Sequence, residues 1–369
     1  MERYKGQDLG PAPHIAMLFS DKLGGFVVLT PLMRGLKERF PRATMDYFGG
    51  ERTAELEAGC RFIDWRYSLF GRDDSLAGLP AAIDQRQQAA GLYDLAVNLD
   101  LEPTTAFAVP LLNPRYLVGY SIRADGRGPI PEENDARGRL QTDFWSADDL
   151  LTRYRGILST NFIGEIFCRL AYIETDFFRT EVAVADPGIE IPALLIATGG
   201  TRSAKLWSSE QWIKLVRLCC AEGWSVGLLG AAPQAQEVYG SLDTEQRMLE
   251  ATPLIDLRGR LSLPAVAGAL QKARACVTVD NGIMHIAYTV GTPTVALFGA
   301  SPWQLWTPPV GNLYLVLPAE PCNLCHENRY RNADCLLPVH QCMNSVTPET
   351  VFARLKQVIR PSLPAKAGE

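Results

Sequence analysis

The chain lacks a basic excess: 36 lysines and arginines stand against 41 aspartates and glutamates, a formal charge of −5. A surface that tracks nucleic-acid phosphates normally shows the opposite imbalance, so no nucleic acid is expected as a partner. The sequence also has no run of about eighteen consecutive apolar residues, so no membrane-spanning helix is expected. No secretory leader is legible in MERYKGQDLGPAPHIAMLFS, whose one apolar run, His14 to Phe19, reads as a first strand. Short-period repeats and heptads are missing too. At 47% hydrophobic and 21% charged, the composition excludes wholesale disorder, a collagen-like repeat and a disulfide miniprotein.

What is present points to two domains, since 369 residues exceed the usual size of one. Nine cysteines without an export signal indicate a reducing compartment, and a cytoplasmic protein is expected. Short apolar runs alternate with longer amphipathic segments, the pattern of an α/β protein with parallel sheets. In the first half, HIAMLFS, TMDYFGG, FIDWRYSL, YDLAVNL and YLVGYSI read as strands, FVVLTPLMRGLKERFP as a helix and AELEAG as a short one. The run from Asp125 to Arg139 is rich in glycine, proline and charge and reads as a loop. Two helical stretches follow, TDFWSADDLLTRYRGILST and FIGEIFCRLAYIET. The aromatic and basic residues of the first suit a packed helix face or a sugar contact. The expected division is a first domain over 1–180, a linker over 181–192, a second domain over 193–345 and a final helix with tail over 346–369. The second cycle runs ALLIATGG, SSEQWIKLVRLCCAEG, SVGLLGA, PQAQEVYGSL, LPAVAGALQKA, ACVTVD, NGIMHIAYTVG and TPTVALFGA, with PETVFARLKQVIRP as the last helix. Two such halves imply a cleft between them, with the strand ends as ligand sites.

Two runs carry most of the chemistry. In VTVDNGIMHIAYTVG, a strand ends at Asp280 and Gly282 allows a tight turn into a helix whose first N–H groups can bind phosphate or sugar oxygens. Asp280 can cap that helix or accept bonds from ribose hydroxyls, and His285 lies about one turn on. The plainer reading is a cap and a packed histidine. In TGGTRSAKLW, Gly199 and Gly200 let backbone approach a ligand, Thr201 offers a hydroxyl, and Arg202 and Lys205 offer charge, together an anion cradle. An ordinary strand-to-helix turn with solvated basic residues explains the same run.

Taken in order, TGGTRSAKLWSSEQWIKL, GLLGAAPQAQE and DLRGRLSLPAVAGALQKARACVTVDNGIMHIAYTVGTPTVALFGASP resemble the donor half of the ADP-heptose:lipopolysaccharide heptosyltransferases, glycosyltransferase family nine. DKLGGFVVLTPLMRGLKERFP is similar to the opening loop and first helix of that family, and CNLCHENRYRNADCLLPVHQCMNSVTPETV to its cysteine-bearing ending. The resemblance implies a GT-B fold, two Rossmann-like domains with parallel sheets facing a cleft, acceptor domain first. It assigns Gly200, Thr201 and Lys205 to the donor diphosphate, Asp280, Asn281 and Gly282 to donor phosphate and sugar, His285 to the transferred sugar and Glu237 to the ribose. Lys205 would stabilise the departing diphosphate without a catalytic cofactor. The implied reaction is inverting transfer of a heptose or related sugar from a nucleotide-diphosphate donor, ADP-heptose foremost, to a hydroxyl of lipopolysaccharide core or another glycan. Protein and small natural-product acceptors stay open, as does a station at the inner membrane face.

The resemblance breaks in the acceptor-side loop Asp21, Lys22, Gly24 and Gly25. The family places an aspartate there as base, and here Gly25 stands in its position. Asp100 and Glu102, at the end of the strand YDLAVNL, are the replacement candidates, with Asp100 preferred as base or acceptor anchor; solvated loop carboxylates are the plainer reading. A nucleotide-sugar-binding homologue with impaired catalysis is the alternative. Finally, Cys322, Cys325, Cys335 and Cys342 form C-x2-C-x9-C-x6-C, a spacing suited to one structural zinc or iron. Free thiols or one disulfide are the other readings, and His326 and His340 are nearby alternative ligands. The resemblance adds that a protein-modifying branch carries a cysteine-bound metal. Cys60, Cys168, Cys219, Cys220 and Cys276 lie in apolar patterns and read as core.

Overall fold

A computed structural model describes residues 1–71, 76–123, 125–236 and 239–359. They form two compact units, Met1–Ala183 with Trp303–Pro309, and Val184–Pro302 with Val310 onward. Among the described residues, no helix is long and apolar enough to cross a membrane.

The first unit runs β1 (Glu2–Arg3), β2 (His14–Leu18), α1 (Leu23–Arg39), β3 (Thr44–Gly50), α2 (Ala54–Ala58), β4 (Trp65–Phe70), α3 (Leu79–Ala90), β5 (Leu95–Asn98), α4 (Pro103–Leu112), β6 (Tyr116–Gly119), α5 (Ala136–Thr142), α6 (Leu150–Arg153) and α7 (Ile163–Leu170). Its six strands are parallel in the order β1-β6-β5-β2-β3-β4. Ile15 pairs with both Met45 and Leu95, so β2 is central and buried along its whole length. Helix α1 is buried from Gly25 to Leu36, which is why it is apolar on nearly every face. Pro31 inside it cannot donate to the Val27 carbonyl, and the Thr30 hydroxyl takes that acceptor at 2.7 Å.

Two expectations are corrected here. Gly24 and Gly25 belong to the first turn of α1, not to a loop, because burial of this segment outweighs the low helix propensity of glycine. The stretch TDFWSADDLLTRYRGILST is helical only at its start, in the end of α5, and over Leu150–Arg153. Between them Asp143 accepts from the Phe144 N–H and the Tyr154 hydroxyl, local bonds that compete with a helical ladder. Strand β1, at the sheet edge, was not expected.

The second unit runs β7 (Leu194–Ala197), a single 3-10 turn (Ser203–Lys205), α8 (Ser209–Ala221), β8 (Val226–Leu229), α9 (Pro233–Gln236), α10 (Leu242–Ala251), β9 (Ile255–Asp256), α11 (Leu263–Lys272), β10 (Ala275–Val279), α12 (Gly282–Thr289) and β11 (Thr294–Leu297). After α13 (Trp303–Trp306), which falls in the first unit, come β12 (Leu313–Val316), α14 (Leu324–Glu327), α15 (Gln341–Ser345) and α16 (Pro348–Val358). The strands are again parallel, in the order β12-β11-β10-β7-β8-β9. Helix α16 buries Val351, Phe352 and Leu355 in the core that also holds Trp212, Val277 and Leu297.

Both sheets therefore reverse direction of growth at one central pair, β2/β5 in the first and β7/β10 in the second. Ligands of such sheets bind beyond the carboxyl ends of the strands at that switch point. Asp21 and Asp100 follow β2 and β5, and Lys205 and Asp280 follow β7 and β10. The topology thus delivers the sequence candidates to one place within each unit.

Candidate functional site

In the second unit the chain leaves β7 through Thr198, Gly199 and Gly200 and forms the turn that ends at Lys205. Beside it, β10 ends at Val279 and α12 begins at Gly282. Asn281, not Asp280, is the cap of α12: its side chain accepts from the Met284 N–H at 3.2 Å and donates to the Gly199 carbonyl at 2.8 Å. A cap of this kind stabilises a helix by about 1 kcal/mol. Because Asn281 fills that role, Asp280 turns to Lys205, whose Nζ stands 2.6 Å from Asp280 Oδ2.

The electrostatics follow from that pairing. Asp280 is buried, which by itself raises a carboxyl pKa; the Lys205 charge and hydrogen bond, with His285 and the Ser301 hydroxyl, overcome this and hold it below the usual range. His285 is equally buried, and loss of solvation pushes its imidazole down to about 4 despite the attraction of Asp280. It is therefore neutral at pH 7, with Nδ1 at 2.9 Å from the Tyr288 hydroxyl. The lysine ammonium has three donors, and Asp280 takes one. Next to it stand the first N–H groups of α12, where backbone and helix dipole favour an anion.

Thr201 is exposed on the same turn and Gly200 is fixed by its N–H to the Tyr239 carbonyl at 3.2 Å. The structure thus brings Gly200, Thr201, Lys205, Asp280, Asn281, Gly282 and His285 into one neighbourhood. Glu237 lies outside the described residues. Behind the turn is a buried ionic network that sequence reasoning missed. Glu245 accepts from Thr198 at 2.6 Å and Ser241 at 3.0 Å and pairs with Arg258 at 3.0 Å, and Arg258 also pairs with Asp256. Nothing in the spacing of these residues signals it.

In the first unit, Asp100 Oδ2 accepts from the Ser20 N–H at 2.9 Å and Oδ1 from the Glu102 N–H at 3.3 Å. It ties the end of β5 to the end of β2 and keeps further lone pairs available. Lys22 pairs with Glu102 at 2.9 Å, and Arg52 grips Asp21 through both carboxylate oxygens at 2.7 and 3.0 Å. At Gly25 the missing side chain has a replacement: a Cβ there would lie 2.4 Å from Cε1 of Phe19. Phe19 is buried and packs edge-on against Phe167 at 5.9 Å.

Cys322, Cys325, Cys335 and Cys342 line one small pocket with Gly299, Ala300 and His340. Burial, together with the neighbouring cysteines, pushes the Cys342 thiol up to about 11. Among the described residues, no group of three or more His, Cys, Asp or Glu stands close enough to hold a metal ion. The expected four-cysteine ligand set is therefore gathered around one space but not closed into a coordination sphere. His340 does not turn to the cysteines; its Nε2 meets the Ala204 carbonyl at 2.7 Å. Of the other five cysteines, Cys168, Cys219 and Cys276 are buried and Cys60 and Cys220 partly so.

Residues 170–334 match the sequence profile of glycosyltransferase family 9 (heptosyltransferase). Lipopolysaccharide heptosyltransferase 1 of Pseudomonas aeruginosa is 37% identical over 121 residues, covering 33% of this chain and 32% of that relative, so the match spans about a third of its length. Among solved structures, ADP-heptose lps heptosyltransferase II of E. coli superimposes with a TM-score of 0.66 at 17% identity, covering 94% of this chain and 98% of that one. The iron-containing dodecameric glycosyltransferase TibC of enterotoxigenic E. coli gives 0.57 at 15% identity, covering 94% and 76%. These likenesses show the fold, a GT-B fold with two Rossmann-like units.

Proposed function

We propose that this chain, whose residues 170–334 match glycosyltransferase family 9, transfers a heptose or related sugar from a nucleoside-diphosphate donor to an acceptor hydroxyl. The observation that carries the reading is the pairing of part-buried Lys205 with buried Asp280 beside the start of α12, at the switch point of the family-matched sheet. In the reaction the acceptor oxygen attacks the anomeric carbon, the bond to the diphosphate breaks, and configuration inverts. Negative charge grows on the departing phosphate. Lys205 with its two remaining donors, the Thr201 hydroxyl and the N–H groups of Gly282 and Ile283 supply the counterweight without reorganising. Asp280 holds the Lys205 ammonium in place through their 2.6 Å contact, and neutral His285 adds an uncharged polar group beside them. Asp100, with free lone pairs at the end of β5, takes the acceptor proton. That the E. coli fold neighbour is named an ADP-heptose lps heptosyltransferase supports ADP-heptose as donor, and the acceptor is a glycan, a protein or a small molecule.

Calorimetric titration with ADP, ADP-heptose, GDP-heptose and UDP-GlcNAc tests this directly. Micromolar binding of ADP and ADP-heptose is expected, and binding of none of the four overturns the reading. Asp100→Asn should then lower turnover by about 100-fold or more with ADP affinity unchanged; unchanged turnover removes Asp100 from the role of base. A second reading, a donor-binding protein that no longer transfers, is favoured by Gly25, where a Cβ would lie 2.4 Å from the Phe19 ring and no carboxylate stands. Donor binding without transfer or slow donor hydrolysis would select it.

The pocket shared by four thiols supports one structural zinc or iron per chain, as does the iron in the TibC neighbour. When bound, such an ion would hold thiolates and lock the segment, with no place in the transfer step. Elemental analysis of the purified protein should give about one equivalent, lost in Cys325→Ser; a metal-free wild type overturns it.

A further inference from the structure

We infer, building on the donor-site reading above, that the cysteine-bearing segment 322–342 is a clamp that positions Lys205, with Arg202 and His340 as its positioning residues. The turn Ser203–Lys205 is three residues long and closes on itself only through the N–H of Lys205 to Arg202 and of Leu206 to Ser203, each at 3.0 Å. A turn so short cannot fix the direction of a long, rotamer-rich side chain by itself. Its other restraints come from far along the chain.

Both backbone groups of Ala204 are held by the segment. The Ala204 N–H donates to the Ala333 carbonyl at 3.0 Å, and His340 Nε2 donates to the Ala204 carbonyl at 2.7 Å. On one side of Ala204, Arg202 Nε donates to the Asn332 carbonyl at 2.7 Å and Nη1 to the Ala300 carbonyl at 3.0 Å. The Ser203 hydroxyl bonds to the Ala333 carbonyl and the Asp334 carboxylate. Ala204 itself is fully buried in an apolar knot with Ala300 and Cys325. The Asn332 side chain then ties this strip back to Cys325 Sγ at 3.3 Å and to the Asp334 carbonyl at 2.7 Å.

These bonds complete no sheet and no long helix, so their effect is local: they set the height of Ala204, and with it the point from which the Lys205 side chain reaches Asp280. A segment that merely adds stability would act elsewhere, through Cys342 and Met343 in the core of the unit. The two roles move different observables.

His340→Ala removes the donor to Ala204, and His340→Gln restores an N–H of similar reach. Hydrogen exchange of the Ala204–Leu206 amides is expected to quicken about tenfold in His340→Ala, the opening that one lost hydrogen bond allows. The Kd for ADP should rise by a similar factor and the Tm should stay put, with exchange and affinity both restored in His340→Gln. Arg202→Ala should behave like His340→Ala. Unchanged exchange at Ala204–Leu206, or faster exchange spread evenly through the unit with a fall in Tm, overturns the clamp. If wild-type protein fails to bind ADP, the donor-site reading falls, and local exchange with its glutamine rescue alone decides the clamp.

Discussion

Replacing Lys205 with methionine is expected to lower stability at pH 7 by about 3–5 kcal/mol and to abolish ADP binding, because it leaves the buried Asp280 without its cation. The pH dependence separates this cause from lost packing. In the wild type the Asp280 pKa lies below its ordinary value of 3.8, so the stabilisation is present above that value and is lost as pH falls through the lowered one. In the variant burial, the largest influence, is no longer offset by Lys205 and raises the pKa, so stability is lost as pH rises above the carboxylate range. The gap between the two proteins should therefore be widest near pH 7 and narrow towards pH 4 in urea titrations. A gap that stays constant with pH would assign the loss to packing. Lys205→Met combined with Asp280→Asn should regain most of the stability, since no unpaired charge is left, and none of the ADP affinity.

The second large effect belongs to Gly25. Gly25→Asp alone should destabilise by about 3 kcal/mol or more, from overpacking against Phe19 and from a carboxylate placed in a buried helix turn. Phe19→Ala alone is also costly, since a buried ring is lost. Combined, the two changes should be less damaging than their sum by about 2 kcal/mol, because the ring's space now holds the carboxylate. A double-mutant cycle by urea denaturation reads that coupling, and additivity would show that Phe19 does not occupy the position. The pair also decides what glycine means for chemistry. Transfer activity gained only in the double variant would show that a base at this position is sufficient and that Phe19 displaced it.

How much of this was legible beforehand varies with the kind of signal. LLIA and ACVTV were readable as strands because short aliphatic runs bounded by glycine or aspartate have few other uses in an α/β chain. Lys205 and Asp280 were readable as site residues through their motifs, but not as an ion pair: they are 75 positions apart, and only the β7–β10 pairing brings them together. Choosing between Asp280 and Asn281 as cap was beyond propensity, since both residue types cap well. Where β10 ends and which way Lys205 points settle it. The resemblance placed Gly24 and Gly25 in a loop, and tertiary burial made them helix. Helix α10 went unexpected, while α16 was plain from its amphipathic stripe. The hold of segment 322–342 on the turn Arg202–Lys205 left no trace in the sequence, because it works largely through main-chain carbonyls, that of Asn332 on Arg202 and that of Ala333 on Ala204.

The central place of β7 also governs how the second unit is born on the ribosome. One side of LLIA is covered once Val226–Leu229 has been made, but the other must wait for Ala275–Val279. Until then the nascent chain shows a bare, uncharged strand edge, open to pairing with a neighbouring chain. Helix α16, which seals that sheet's core, is made later still. Slow elongation or chaperone shelter through this interval should govern soluble yield more than the stability of the finished protein does.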